Sequence, residues 1–236
     1  MQRIYFPELN TQDDNITISD IEIVHQLTKV LRIRVGDEIS LFNWDINKDI
    51  IFTVTELGKR EISIKKISEQ ENTSEIDFEL SLYNAMPNKL EKIEYIIQKG
   101  TEIGFTKFHF FRTDRSQKLV ISDNKKVRLE KIITEAAEQS GRAIIPQIII
   151  SDDFDINNLP DWKNIFFHTQ NENSQDLRSI EKRSWEKINL FVGPEGGWSE
   201  SEVQILEQNT SRIHLGNRIL RTETTGIVTG FYIIQA

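Results

Sequence analysis

The sequence predicts an α/β protein with a mainly parallel sheet, preceded by a small β-rich unit. Three observations carry this expectation. From residue 73 onward, apolar strand-like runs alternate with amphipathic helical stretches, the pattern of a parallel sheet covered by helices. Before residue 68, short β-branched runs separated by tight turns and one helical segment suit a small barrel. Between them, Ser68–Glu75 contains no apolar residue and reads as a linker. Two domains follow, 1–72 and 73–236, and 236 residues give ample chain for a core.

In the first domain Arg3–Phe6 is the first strand. Ile21, Val24, Leu27 and Leu31 fall at helical spacing. Gly36-Asp37 turns the chain before Glu38–Asn43, and Ile50–Leu57 and Glu61–Ile67 are β-branched and partly alternating. In the second domain Phe78–Ala85 is a strand, and Asn88 is placed to cap a helix carrying Leu90, Ile93, Ile97 and Ile103 that ends at Gly104. Lys107–Phe111 is a strand and Lys125–Ser140 a helix closed by Gly141. Pro146–Ile150, Ile165–His168, Ile188–Val192 and Arg212–Leu215 supply further strands. Ser199 with Glu202 forms a capping box for the helix through Leu206.

Composition excludes several classes of function. With no cysteine there are no disulfides, thiolate metal sites or cysteine nucleophiles. No apolar run is long enough to span a bilayer, and Met1–Pro7 lacks the apolar core of a signal peptide, so a cytoplasmic protein without a membrane partner is expected. The net charge of −8 disfavours a generic polyanion binder. Its distribution is uneven, however: residues 1–72 hold 9 Lys/Arg against 13 Asp/Glu, whereas residues 89–142 hold 12 against 8. His25, His109, His168 and His214 lack metal-ligand spacing, so no metal is expected. Gly193–Gly197 is neither a dinucleotide-binding loop nor a P-loop. Direct transfer of an already activated group fits these restrictions.

The densest signal lies between Asn189 and Thr225. The apolar run Leu190–Val192 enters Gly193-Pro194-Glu195-Gly196-Gly197, and a second short strand enters a turn at Gly216, with Arg218, Arg221 and Glu223 behind it. Two glycine loops at the C-terminal ends of strands sit where open α/β sheets bind small ligands. His168-Thr169-Gln170-Asn171-Glu172 follows another strand and forms either a third wall of that pocket or a plain loop. Arg112 and Arg115 follow the strand Lys107–Phe111. They are placed to bind phosphate or to pair with Asp114.

G-P-E-G-G at 193–197 followed by L-G-N-R-I-L-R-T-E-T at 215–224 resembles the paired signature of the bacterial 16S rRNA uridine-N3 methyltransferases, members of the knotted SPOUT class of S-adenosyl-L-methionine (AdoMet)-dependent enzymes. The likeness covers most of the chain. Val30–Phe42 resembles that family's PUA-like RNA-binding domain, and Ile97–Gly104, Thr113–Ser116 and Glu138–Arg142 resemble its internal motifs. Two departures stand out: Asn43-Trp44-Asp45 replaces a D-G turn, and Thr224-Thr225-Gly226 replaces a run ending in alanine.

The resemblance implies a SPOUT-type sheet with a C-terminal trefoil knot, a PUA-like β-barrel ahead of it, and a homodimer with the cofactor pocket near the interface. It implies AdoMet as cofactor, and 16S rRNA or the small ribosomal subunit as partner. The implied cofactor residues are Phe167, His168, Thr169, Val192, Gly193, Pro194, Glu195, Gly196, Gly197, Leu215, Gly216, Asn217, Ile219, Leu220, Arg221, Thr222 and Thr224. Arg221 would stabilise negative charge on the uracil carbonyls, and Glu223 or Glu195 would take the N3 proton. As a bland alternative, Glu195 merely places a negative charge before the helix that follows. Arg3, Lys29, Arg32, Arg34, Arg112, Arg115, Lys118 and Arg142 are the implied RNA contacts. Ribose 2′-O methylation by a related knotted enzyme, a non-catalytic RNA-binding protein, and a small-molecule enzyme with a barrel for dimerisation are the competing readings.

Overall fold

The computed structural model describes residues 1–152, 154–159, 162–169, 174–180 and 185–235. They form two compact units, Met1–Glu75 with Ala137–Ile144, and Ile76–Ala136 with Ile145–Ala236.

In the first unit, strands β1 (Gln2–Tyr5), β2 (Asn15–Ile18), β3 (Glu38–Phe42), β4 (Lys48–Leu57) and β5 (Ile62–Glu71) pair in the order β1-β3-β4-β5-β2. Only the β1–β3 pairing is parallel. Alternate side chains such as Ile50, Phe52 and Val54 point inward and meet Ile4, Leu41, Ile62 and Leu27 in one apolar core. Helix α1 (Ile21–His25), capped by Asp20, widens into a π-turn at Gln26–Val30. Val24 and Leu27 are buried as the spacing predicts, but Ile21 is 84% exposed. Ile21 is the first residue of α1 and stays in solvent, while the wider turn changes the 3.6-residue period from Gln26 onward.

The expected linker is different in kind. Ser68–Glu71 continue β5 and pair with Lys48–Ile51, where Lys48 bridges Glu69 and Glu71, and Lys66 also reaches Glu69. A strand end with both faces in solvent has no apolar alternation and reads as linker. The departure at Asn43-Trp44-Asp45 also has a structural account. Buried Asn43 donates to the Leu9 carbonyl at 3.1 Å and accepts from the Asp45 amide, so its side chain builds the turn after β3.

Two expected RNA contacts are corrected here. Arg3 spends its Nε on Asp49 at 2.8 Å and lays its guanidinium over the Phe42 ring. Arg142 is buried and grips Glu75 from Nε and Nη2, while the same carboxylate accepts the amides of Ala143 and Ile144. Both cations are structural. Replacing Arg142 with Ala leaves Glu75 without its counter-charge, so urea unfolding should show a loss of about 3 kcal/mol; an unchanged midpoint would contradict this role.

In the second unit, seven parallel strands run in the order β10-β12-β9-β11-β6-β7-β8. They are β6 (Glu79–Ala85), β7 (Lys107–Phe111), β8 (Gln147–Ser151), β9 (Lys163–Phe167), β10 (Gln175–Asp176), β11 (Lys187–Val192) and β12 (Ser211–His214). The short β10 carries no apolar run and was not expected. The helices are α2 (Leu90–Ile103), α3 (Asp123–Ser140), α4 (Glu200–Asn209) and α5 (Thr222–Gln235); α3 from Ala137 onward belongs to the first unit. Central strands β6, β7, β9 and β11 are buried almost throughout, which is why they read as continuous apolar runs.

Helix α2 ends on Gly104 with φ +115°, as predicted, but begins differently. Its N-cap is Lys89, without a side-chain cap, and the Asn88 amide instead donates to Glu195 at 3.3 Å. Helices α2 and α5 pack together and glycine lets them seat. A Cβ on Gly100 would lie 2.4 Å from the Phe108 ring, and one on Gly230 2.5 Å from the Phe105 ring. His109 lies on the other face of the sheet, against Tyr83, Phe111 and Phe154. Burial and nearby Lys107 push its pKa down to about 4, and its Nε2 meets Ser151 Oγ at 2.8 Å. Among the described residues no cluster of three or more His, Cys, Asp or Glu is arranged to hold a metal, and no helix is long and apolar enough to cross a membrane.

Candidate active site

Strands β9, β11 and β12 are neighbours in the sheet, so the loops leaving their C-terminal ends meet. Val192, the last residue of β11, pairs with Asn84 of β6 and delivers the chain into the first glycine loop. That loop turns through a hydrogen bond from Gly197 N to Pro194 O (2.9 Å), with Gly197 at φ +69°, a region that favours glycine. The predicted capping box is present in full: Ser199 Oγ accepts the Glu202 amide and Glu202 accepts the Ser199 amide. After β12 the chain bends at Gly216 (φ +88°), whose amide donates to His214 Nδ1, and reaches α5 at Thr222.

Three contacts lock the loops together. The Thr222 hydroxyl donates to the Gly193 carbonyl at 2.8 Å and lies 3.4 Å from Asn84 Nδ2. Trp198 Nε1 donates to the Phe167 carbonyl at 3.1 Å, tying the first loop to the end of β9. A Cβ on Gly193 would stand only 3.0 Å from that same indole nitrogen, so the loop and Trp198 are in close contact. Finally, His168 N donates to Ile213 O, and the His168 ring meets Arg212 at 3.0 Å, joining β9 to β12.

The loop after β7 braces this assembly. Asp114 accepts from Ser199 Oγ at 2.6 Å and donates its amide to buried Glu202 at 2.9 Å. Asp114 therefore serves the start of α4, while Arg112 faces Asp152 at 3.4 Å and Arg115 donates to the Gly196 carbonyl at 3.3 Å.

The result is a cavity of about 910 Å³. Its walls are Phe167, His168 and Thr169 on one side, Val192 through Trp198 on another, and Leu215 through Thr222 on the third, with Lys92, Arg115, Glu200, Val203, Gln204 and Thr225 at the edges. Gln170, Asn171 and Glu172 lie outside the described residues. Of the residues singled out for cofactor binding, only Thr224 is not on the wall. Four cations (Lys92, Arg115, Arg218, Arg221) face two carboxylates (Glu195, Glu200) around it, a local positive excess in an acidic chain.

The three candidate catalytic residues separate. Arg221 lines the cavity with its side chain 84% exposed, its guanidinium 3.9 Å from Glu223. Glu195 also lines it, held by Lys92 at 2.5 Å and by the Asn88 amide. Burial alone would raise the Glu195 pKa, but the Lys92 ammonium and the backbone amides outweigh it and keep the carboxyl below its ordinary value. Glu223 is not on the wall. Its side chain is 14% exposed, and Oε2 is buried, hydrogen-bonded to nothing, 3.7 Å from Lys92. Glu223 therefore stands behind Lys92 rather than on the cavity wall.

Sequence reasoning missed Lys92, Trp198, Asn84 and the Asp114–Glu202 brace. Trp198, adjacent to the glycine loop, was the one of these with a local signal. The expected RNA contacts Lys29, Arg32, Arg34 and Lys118 are exposed, and Arg32 adopts φ +54°, a conformation a branched or bulky side chain rarely takes. Thr222→Val removes the hydroxyl that joins the two glycine loops while keeping its volume. Denaturant unfolding should register a loss of about 1–2 kcal/mol, and an unchanged stability would show that the loops are held by other contacts.

Comparison with known proteins identifies the family. The family of RNA methyltransferase domains matches residues 74–233, and the RNA methyltransferase PUA domain matches residues 18–67. A ribosomal RNA small subunit methyltransferase E from Bacillus subtilis is 33% identical over 243 residues, covering 95% of this chain and 92% of its own. Its namesake from Rickettsia conorii is 32% identical over 232 residues, covering 95% and 91%. The crystal structure of the Neisseria gonorrhoeae ribosomal RNA small subunit methyltransferase E, bound to S-adenosyl methionine, superposes with a TM-score of 0.84 at 28% identity, over 99% of this chain and 96% of the other. Likeness along nearly the whole chain places this protein, with its cavity between two glycine loops, in the ribosomal RNA small subunit methyltransferase E family.

Proposed function

We propose that this protein transfers a methyl group from AdoMet to N3 of an unpaired uridine in 16S rRNA. The observation that carries the reading is the cavity itself, closed by both glycine loops and edged by the exposed guanidinium of Arg221. Its size lies within the range of small-molecule pockets. Phe167, Val192, Leu215, Ile219 and Leu220 offer apolar surface for an adenine ring, and the backbone groups of the two turns offer partners for a ribose and an amino-acid tail. AdoMet supplies a methyl group already activated on a sulfonium, so the residues need chiefly to align donor and acceptor.

N3 lies on the Watson–Crick edge and carries a proton, so the target base must be unpaired or turned out of its helix. Arg221 is placed to meet the negative charge that gathers on the uracil carbonyls as the proton leaves. Arg115 and Arg218 at the cavity edge suit the flanking phosphates. In residues 1–72, taken as the RNA-binding domain, the exposed edge of Lys29, Arg32 and Arg34 suits phosphate contacts, and exposed Lys118 does so in the second unit.

The same reading includes a homodimer and a C-terminal segment threaded as a trefoil knot. Val228 and Phe231 of α5 stay 47% and 54% exposed, and Tyr95 of the neighbouring α2 is exposed as well, apolar surface that a second copy would cover. For the threading, the support is that α5 starts on the carbonyl of the first glycine loop and packs along β6 and β11.

Nucleoside mass spectrometry of rRNA methylated by the purified protein tests the reaction. N3-methyluridine is expected; 2′-O-methyluridine or no product would overturn the proposal. Calorimetry tests the cofactor, and absence of heat with AdoMet would remove it. Arg221→Ala should lower turnover by about 10²–10³ with an unchanged melting curve, and near-wild-type turnover would take Arg221 out of the reaction. Sedimentation analysis should find a dimer, and a monomer at all concentrations would refute that part.

A further inference from the structure

We infer that Lys92 is a positioning residue for this reaction: backed by Glu223, it holds Glu195 at the cavity wall as the carboxylate that receives the N3 proton. The inference rests on the uridine-N3 reading and assigns the proton step within it. Its basis is the order in which three charges stand. Lys92 Nζ lies 2.5 Å from Glu195 Oε1 and 3.7 Å from Glu223 Oε2. Lys92 and Glu195 line the cavity; Glu223 does not. The arrangement therefore runs from a half-buried carboxylate, through an ammonium, to a carboxylate on the cavity wall.

Each member has a reason to be where it is. Glu223 sits in the first turn of α5, where the helix field favours a negative charge. Its Oε2 is buried and accepts no hydrogen bond; Lys92 at 3.7 Å from Oε2 and Arg221 at 3.9 Å from Oε1 are the charges that compensate it. Lys92, in the first turn of α2, has a side chain 21% exposed and its ammonium between the two acids. Glu195 spends Oε1 on Lys92 and on the Asn88 amide, which fixes its orientation. The other charged groups facing this centre are Arg221, Arg218 and Arg115 from the loops and Glu200 from α4.

In the step itself the N3 proton passes to the Glu195 carboxylate. The N3–C bond forms as the methyl C–S bond breaks, its electron pair staying on sulfur as a neutral thioether. Glu195 then returns the proton to solvent. The fixed ammonium keeps the Glu195 carboxylate ionised and oriented at the cavity wall, so what it contributes is position rather than base strength.

Two measurements on the full chain test this. In the protein alone, carboxyl-carbon NMR of glutamate-labelled samples, with Glu195 assigned through Glu195→Gln, should show Glu195 titrating below the ordinary range. Lys92→Gln should raise it by about one pH unit, and Lys92→Arg should largely restore it. In the reaction, the acid limb of kcat/KM should move up by the same unit in Lys92→Gln and back in Lys92→Arg. Glu223→Gln, which removes a neighbouring negative charge, should move it down.

A strut that only holds the glycine loop would change AdoMet affinity or kcat evenly at every pH. An acid limb unmoved in Lys92→Gln therefore overturns the inference, as does a limb that survives Glu195→Gln. Should Lys92→Gln fail to fold, Glu195→Gln and Glu223→Gln decide by the same limb. If wild-type protein makes no N3-methyluridine, the proposed function fails instead, and the NMR titration still reports on the charge arrangement.

Discussion

One hydrogen bond organises the site: the Thr222 hydroxyl donating to the Gly193 carbonyl. It joins two loops that are far apart in the chain but leave neighbouring regions of the same sheet edge. Asn84, fully buried at the end of β6, stands beside the same hydroxyl, so the sheet centre, the first loop and the start of α5 converge on one oxygen. Around it, Trp198 fastens the first loop to β9, and the Asp114–Glu202 brace fixes the start of α4. The cavity is thus framed by rigid strand ends and by side chains whose polar atoms are mostly spent on one another. Such a frame suits a reaction whose chief demand is alignment.

The charges follow the same logic. The chain is acidic as a whole, which keeps it from binding polyanions at random, yet its cavity is edged by more cations than carboxylates. Lys92 illustrates how that balance is kept. Its ammonium is shared by two carboxylates, so Arg221 remains exposed, with Glu223 no nearer than 3.9 Å. By contrast, Arg3 and Arg142 are drawn into the first unit by Asp49 and Glu75, whereas Arg34 stays exposed.

What could be read from the sequence was whatever left a local mark. The strands of the parallel sheet are covered on both faces and so appear as unbroken apolar runs such as Leu190–Val192. The glycine loops announce themselves because a sharp turn and a close approach require glycine in the sequence itself. The capping box at Ser199 and Glu202 is likewise four residues long. Partners brought together only by folding left no such mark: Arg142 and Glu75 are 67 positions apart, Asp114 and Glu202 88, and Lys92 and Glu195 103. Lys92 looked like one more solvated position on a helix, and Ser68–Glu71 like a linker, because solvated strand and solvated loop share a composition.

The dependence on Thr222 has a consequence for synthesis. Every other wall of the cavity precedes α5 in chain order, and α5 supplies both the hydroxyl that closes the loops and the glutamate behind Lys92. A growing chain can pair β6, β7 and β11 before α5 emerges, but the contact that ties the two glycine loops forms only once α5 seats against them. A chain that stops before Thr222 therefore holds the strands of the site but lacks both the hydroxyl that ties its two loops and the glutamate behind Lys92.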